Sequence, residues 1–325
     1  MPYRNTPVSS RENMMAMYAE KAPYWVPMPA DVDFLHFPLY SDNLGRGRAV
    51  DITDAFGIDW EYVPTAGGSI VRAGVKPCME DVNEWKERIN FPDIDKWDWA
   101  GEAERINIDV ARSGEFSFVN GFWFERLISF MEFMNAALAL IDDDQKDAIH
   151  ELFTASTEFG CKLVDKLCEY WPRIDTFTVH DDWGSQKAPF FSQETAEELF
   201  VPYMKILTDH IHSKGRFAAL HSCGHNFTRV QCFIDGGFDQ WTPQNMNDTH
   251  RLYDEVGDKI IIGVVPDPFN LETTSEKEQR ERARDYVDRF CKPGKPSTLN
   301  WVGPMPQAFS EELYEYSRKK FAGLI

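Results

Sequence analysis

From residue 116 onward the apolar positions follow two alternating periods. Short apolar runs at Phe116 to Asn120, Ile174 to Val179, Phe217 to Leu220, Phe238 to Trp241, Lys259 to Val265 and Ser297 to Trp301 read as buried strands. The stretches between them carry helical spacing. Leu127, Ile128, Phe130 and Met131 follow the first strand, and Ile149, Leu152, Phe153, Leu163 and Leu167 mark a long helix over 145–170. Ser192 caps a helix whose stripe is Leu199, Phe200, Tyr203, Leu207 and Ile211. Gly236 and Gly237 end the helix after the His221 strand, and Asp248 to Val256 is helical. Ser275 with Glu278 makes a capping box, and Ser310 to Phe321 forms the closing helix. Strands alternating with helices in this way predict a parallel α/β sheet.

The first third is less regular. Ser10 to Glu20 is a short amphipathic helix with Met14, Met17 and Tyr18 on one side. Tyr24 to Pro27 reads as a first strand cut by prolines, and Asp31 to Gly68 is loop-rich, with Gly45, Gly47 and Gly57 as turn points. No linker separates this part from the rest. The expected architecture is therefore one domain over 1–325, a single (β/α)8 TIM barrel. Residues 1–110 form its N-terminal extension and first strands, and 111–325 its regular repeats.

Composition narrows the class of function. At 43% hydrophobic and 27% charged, the 325-residue chain can bury a large core. Its formal net charge of −19 argues against nucleic acid and anionic membranes as partners. No apolar run spans a bilayer, and the start Met1-Pro2-Tyr3-Arg4-Asn5 has no apolar signal region. The six cysteines lack a regular framework, so reduced thiols and a cytoplasmic location are expected.

Candidate chemistry gathers where strands end. His221 and Cys223 stand two apart after the Phe217 strand, on one side of the chain. They are a ligand pair suited to zinc, or a buried histidine beside a small apolar thiol. The Ile174 strand ends in His180-Asp181-Asp182-Trp183-Gly184-Ser185-Gln186, where Asp181 and Asp182 are either metal or substrate carboxylates or a turn cluster. Gln244-Asn245 can orient a polar substrate or tie down a loop. Asn120 leads into Trp123, Phe124, Glu125 and Arg126, and Glu125-Arg126 reads first as an ion pair at the rim. His210, His212, Cys161, Cys168 and Cys232 fall on helices and read as structural.

These motifs together resemble the uroporphyrinogen decarboxylase-like superfamily. The resemblance is carried by 181–186, Pro202-Tyr203, His212-Ser213-Lys214-Gly215, His221-Ser222-Cys223-Gly224 and Pro243-Gln244-Asn245. Gly257-Asp258-Lys259, Asp54-Ala55-Phe56-Gly57 and Phe124-Glu125-Arg126 fit as well, so it runs from about residue 50 to near the end. It implies a single (β/α)8 barrel. Decarboxylases of the superfamily hold their many-carboxylate substrate through an N-terminal arginine motif, where this chain reads Trp25-Val26-Pro27-Met28-Pro29-Ala30-Asp31. The corrinoid-dependent methyltransferase branch binds zinc through a His-x-Cys pair, which His221 and Cys223 match.

One departure from that branch is informative. Its thiol-methylating members carry a third cysteine ligand after the last strand, where this chain reads Leu299-Asn300-Trp301-Val302-Gly303. The third ligand would then be a carboxylate, Asp182 or Glu125, or the site holds no metal; the missing thiolate suits an O-demethylase-type enzyme. The resemblance thus implies zinc on His221, Cys223 and Asp182, with Glu125, Asp181 and Asp182 catalytic. Trp123, Trp183, Trp241, Gln186, Gln244 and Asn245 would contact an aryl methyl ether. It implies a separate corrinoid protein as partner, docked over the barrel mouth, and a possible homodimer. The rival readings are a metal-free decarboxylase using Asp181 or Asp54, and a non-catalytic binding protein on the same barrel.

Overall fold

Seven parallel strands make up the main sheet, and their order carries the chain around it without reversal. The computed structural model describes residues 8–46, 50–65, 68–270 and 273–325. Gly47 and the first residues, Met1 to Asn5, lie outside them. In chain order the strands are β1 (Val32–Leu35), β2 (Ile52–Thr53), β3 (Asp59–Val63), β4 (Gly68–Val71), β5 (Ser113–Phe118), β6 (Ile174–His180), β7 (Phe217–His221), β8 (Gln240–Trp241), β9 (Ile261–Val264) and β10 (Ser297–Leu299). The main sheet runs β1-β5-β6-β7-β8-β9-β10, all pairs parallel, and β2-β3-β4 form a separate antiparallel sheet.

The sheet curls as in a TIM-like barrel, but the eighth strand is not present among the described residues. The segment 24–27 forms no strand, because prolines at 23, 27 and 29 remove backbone donors. A single ladder-like bond survives there, from Leu299 N–H to the Pro27 carbonyl at 2.9 Å. The first strand of the sheet is instead Val32–Leu35, inside the stretch read as loop, which also holds a helix at Pro38–Leu44 and β2 and β3.

Helix Ser10–Glu20 closes the end of the sheet where strands begin. Met14, Met17 and Tyr18 cluster with Val32 and Ile261, and the Tyr18 ring stacks on Phe217 at 4.6 Å. Tyr18 Oη donates to Gln240 Oε1 at 2.6 Å, and Arg11 pairs with Asp175 at 2.8 Å. Each sheet partner is the first or second residue of its strand, so this helix covers the end where the strands begin. Helix Lys146–Tyr170 forms as its spacing predicts and buries Ile149, Leu152, Phe153, Leu163 and Leu167. Each such burial stabilises by about 1.5 to 3 kcal/mol. The Ser192 helix is interrupted at Phe200 into Gln193–Leu199 and Val201–Ser213, because Pro202 cannot donate to the preceding turn. Among the described residues no helix is long and apolar enough to cross a membrane.

His210 and His212 are structural in role, contacting Asp165 and Asp239 at 2.9 and 2.8 Å. The Asp239 hydrogen bond raises the His212 pKa above its ordinary value. A raised folded pKa gives stabilisation that is complete below the unfolded value and is lost as pH rises through the folded one. The pair is more than a third exposed on the histidine side, so screening holds it below about 1 kcal/mol. Urea midpoints of wild type and His212→Gln should therefore differ most at pH 5 to 6 and converge above neutrality. A gap that widens with pH would contradict this pairing.

Candidate metal centre

The turn after β7 places its two functional side chains together. His221 ends the strand, and Cys223 continues the same side of the extended chain. His221 Nε2 lies 3.2 Å from Cys223 Sγ. The neighbouring loop after β6 brings Asp182, whose Oδ1 accepts from Cys223 N at 2.7 Å. A carboxylate oxygen of Asp182, an imidazole nitrogen of His221 and the Cys223 sulfur all lie within 4.8 Å of one another. Oxygen, nitrogen and sulfur donors at that spacing fit a borderline-soft divalent cation such as zinc.

The backbone around this trio is closely packed. Asp181 N donates to the His221 carbonyl at 3.1 Å, and Gly184 N to the Cys223 carbonyl at 3.2 Å. Gly224 has φ +95, and a Cβ there would stand 2.0 Å from the Gly184 carbonyl oxygen. Both conformation and contact demand glycine. Gly224→Ala should cost at least about 2 kcal/mol and disorder the trio. A urea midpoint unchanged from wild type would contradict that contact. Gln244 braces the turn from the loop after β8: its Oε1 accepts from Gly224 N at 2.8 Å, and its Nε2 donates to Cys223 Sγ at 3.2 Å. Asn226 occupies the cap position of the next turn, but its side chain does not cap. It donates to Ser222 Oγ at 3.0 Å and to the Cys223 carbonyl at 2.7 Å, while Asn247 Oδ1 accepts from Asn226 N at 2.9 Å.

Electrostatics follow from burial among acids. Burial pushes the Cys223 thiol up to about 12, and the Asp182 charge adds to the shift. His221 is pushed down by burial, with Asp182 opposing. A bound divalent cation reverses the local preference by favouring thiolate and neutral imidazole. His180, aligned with His221 across the two strands, is pushed down to about 3 by burial, and the two rings lie 4.7 Å apart.

Glu125 and Arg126 do not pair with each other. Arg126 reaches Asp54 at 3.1 Å in the interior, whereas Glu125 pairs with Arg46. Arg46 also donates to Asn120 Oδ1, and its guanidinium lies 5.4 Å from the Trp60 ring centre. Glu125 Oε2 is buried without a hydrogen-bond partner. Burial raises its carboxyl to about 8; Arg46 opposes, and Asp182 and Asp181 add to the rise.

The other residues singled out in the sequence divide. Asp181 is fully buried and accepts from Phe124 N at 3.2 Å, Glu125 N at 2.9 Å and Trp183 Nε1 at 2.8 Å, so it holds the start of helix Phe124–Met131. Burial raises its carboxyl to about 6, against those hydrogen bonds. Trp123, Trp183 and Trp241 are 0% exposed and offer no ring face to a ligand. Trp123 donates to Thr157 Oγ1, and Trp183 packs on Phe191, Phe200 and Phe233. Gln186 and Asn245 are exposed and stand outside the trio. Arg46 and Asn247 were not anticipated: an arginine between two glycines carries no periodic signal, and Asn247 lies past the end of its strand. His180, named in the strand-end run, continues the alternation of Thr176 and Thr178 on β6.

No model of a known protein family matches the chain, and no curated protein does. Among solved structures, a methyltransferase from Methanosarcina mazei is similar with a TM-score of 0.61 at 13% identity, over 97% of this chain and 99% of that one. At that identity the likeness is one of fold.

Proposed function

We propose that this protein is a corrinoid-dependent methyltransferase of the uroporphyrinogen decarboxylase-like superfamily. It takes a methyl group from a small aryl methyl ether and passes it to the cobalt of a corrinoid on a partner protein. The observation that carries the reading is the convergence of Asp182, His221 and Cys223 within 4.8 Å at the open end of the sheet. The similarity of fold to a methyltransferase supports it.

Zinc held by these three residues would supply a Lewis acid for the ether oxygen. The chain's own groups supply the rest. Gln244 donates to the Cys223 sulfur, and Asp182 accepts from the Cys223 backbone N–H. Asp181 anchors the backbone of Phe124 and Glu125, and so sets where the Glu125 carboxyl stands. Burial raises the Glu125 carboxyl against its Arg46 pairing, and its Oε2 is left without a hydrogen-bond partner, so in this reading Glu125 is the group that would protonate the departing phenolate oxygen. Among the described residues Arg46 is the arginine paired at this acidic mouth, with Glu125, while Arg126 is committed to Asp54. A substrate with many carboxylates needs several cations, so the decarboxylase reading is the weaker one.

The test is methyl transfer from 4-methoxyphenol to free cob(I)alamin, followed by the absorbance change at cobalt, with zinc-loaded wild type and Cys223→Ser. Transfer by wild type and its loss in the variant are expected. No transfer from any aryl ether, together with decarboxylation of a porphyrinogen, would overturn the reading.

A further inference from the structure

The inner wall of the sheet is unusual for its architecture. Bulky branched side chains normally fill the axis of such a barrel. Here, beyond the layer of Val32, Tyr18 and Ile261, strand pairing puts Glu115, Thr176, Thr178 and His180 along it. Val32 packs in the plug with Tyr18 and Ile261, so the inner side of β1 carries Val32 and, two residues on, Phe34. Parallel register aligns Phe34 with Glu115, and Glu115 with Thr176. Thr178 and His180 follow on the same side of β6, and His180 aligns with His221 of the trio.

Two groups on this wall are left open. Phe34 is 61% exposed, whereas Val32 of the same strand is buried and Leu35 packs against the core. Glu115 accepts from Thr178 Oγ1 at 2.6 Å, and no other hydrogen bond holds its carboxylate among the described residues. Phe34 offers the ring face that the buried tryptophans do not.

We propose that Phe34 and Glu115 recognise the far end of the substrate, an aromatic methyl ether bearing a hydroxyl opposite the ether. The inference rests on the methyl-donor reading above and names the class of donor. The ring lies against Phe34, and the hydroxyl donates to Glu115 while the ether oxygen faces the trio. The spacing agrees: Thr178, where the Glu115 carboxylate is held, is two residues below His180, about 7 Å along a strand, or roughly one para-substituted ring. The chemistry agrees as well. Burial raises the Glu115 carboxyl against the Thr178 bond, so a hydroxyl donor relieves an uncompensated acid and a ligand carboxylate is repelled.

Calorimetric binding of 4-methoxyphenol, anisole and 4-methoxybenzoate to the zinc-loaded protein tests this without turnover. The phenol should bind at least about tenfold more tightly than anisole, and the benzoate more weakly than either. Glu115→Leu should abolish the phenol's advantage over anisole, and Glu115→Gln, which keeps the shape, should reduce that advantage. Phe34→Ala should weaken phenol and anisole alike by about tenfold. Equal binding of phenol and anisole, benzoate binding as tight as the phenol, or an advantage surviving in Glu115→Leu would overturn the assignment. Because no cobalt acceptor is present, a protein that discriminates in this way but transfers no methyl group would refute only the methyl-transfer reading.

Discussion

Protein purified without chelator is expected to carry about one zinc per chain, and His221→Ala or Cys223→Ser to lower its zinc affinity by more than about 100-fold. The expectation comes from the donor count. With three protein ligands within 4.8 Å, loss of one leaves a pair that cannot enclose the ion. Gln244→Ala is the internal comparison. It removes the donor to Cys223 Sγ and the acceptor for Gly224 N without removing a ligand, so a smaller loss of about 10- to 100-fold is expected. Competition with a chromogenic chelator gives all four affinities, and far-ultraviolet circular dichroism separates ligand loss from unfolding. Equal zinc affinity in wild type, His221→Ala and Cys223→Ser would remove the centre from consideration.

The second large effect concerns stability. Asp54→Ala is expected to destabilise the protein by about 3 to 5 kcal/mol. The Asp54 side chain is 0% and the Arg126 side chain 6% exposed, and they meet at 3.1 Å. Asp54 also accepts from Phe56 N at 3.0 Å, Ile58 N at 2.9 Å and Trp60 Nε1 at 3.0 Å. Burial lowers the Arg126 pKa, with Asp54 holding it up, so removing the acid strands a buried cation over the Phe56 ring, 4.6 Å away. Arg126→Met in the Asp54→Ala background should therefore recover part of the loss, because no buried charge is then left unpaired. Urea unfolding of wild type and the two variants decides the matter. A loss under about 1 kcal/mol for Asp54→Ala would show that the pair is solvated in solution.

The network also corrects a reading of adjacency. Glu125 and Arg126 are neighbours in the chain but opposite in the structure, because consecutive helical positions face different sides. One turns to Arg46 at the mouth and the other inward to Asp54. Helical phase makes their separation foreseeable; their actual partners come from loops 70 or more residues away. Similarly, Trp123, Trp183 and Trp241 were candidates for a ligand pocket by type alone. Large rings are also what a core most needs, and burial assigns them there.

Periodic patterns by themselves determined the alternation of strand and helix from β5 onward, and the i, i+2 spacing placed His221 and Cys223 on one side of a strand end. Such features depend on local geometry, which each segment carries with it. Tertiary structure decided the rest: that among the described residues the main sheet has seven strands with Val32–Leu35 as the first, that Asp182 stands with His221 and Cys223, and that Arg46 pairs with Glu125. These depend on which distant segments pair and in what register. Register is a property of two strands together, and no stretch of one strand specifies it.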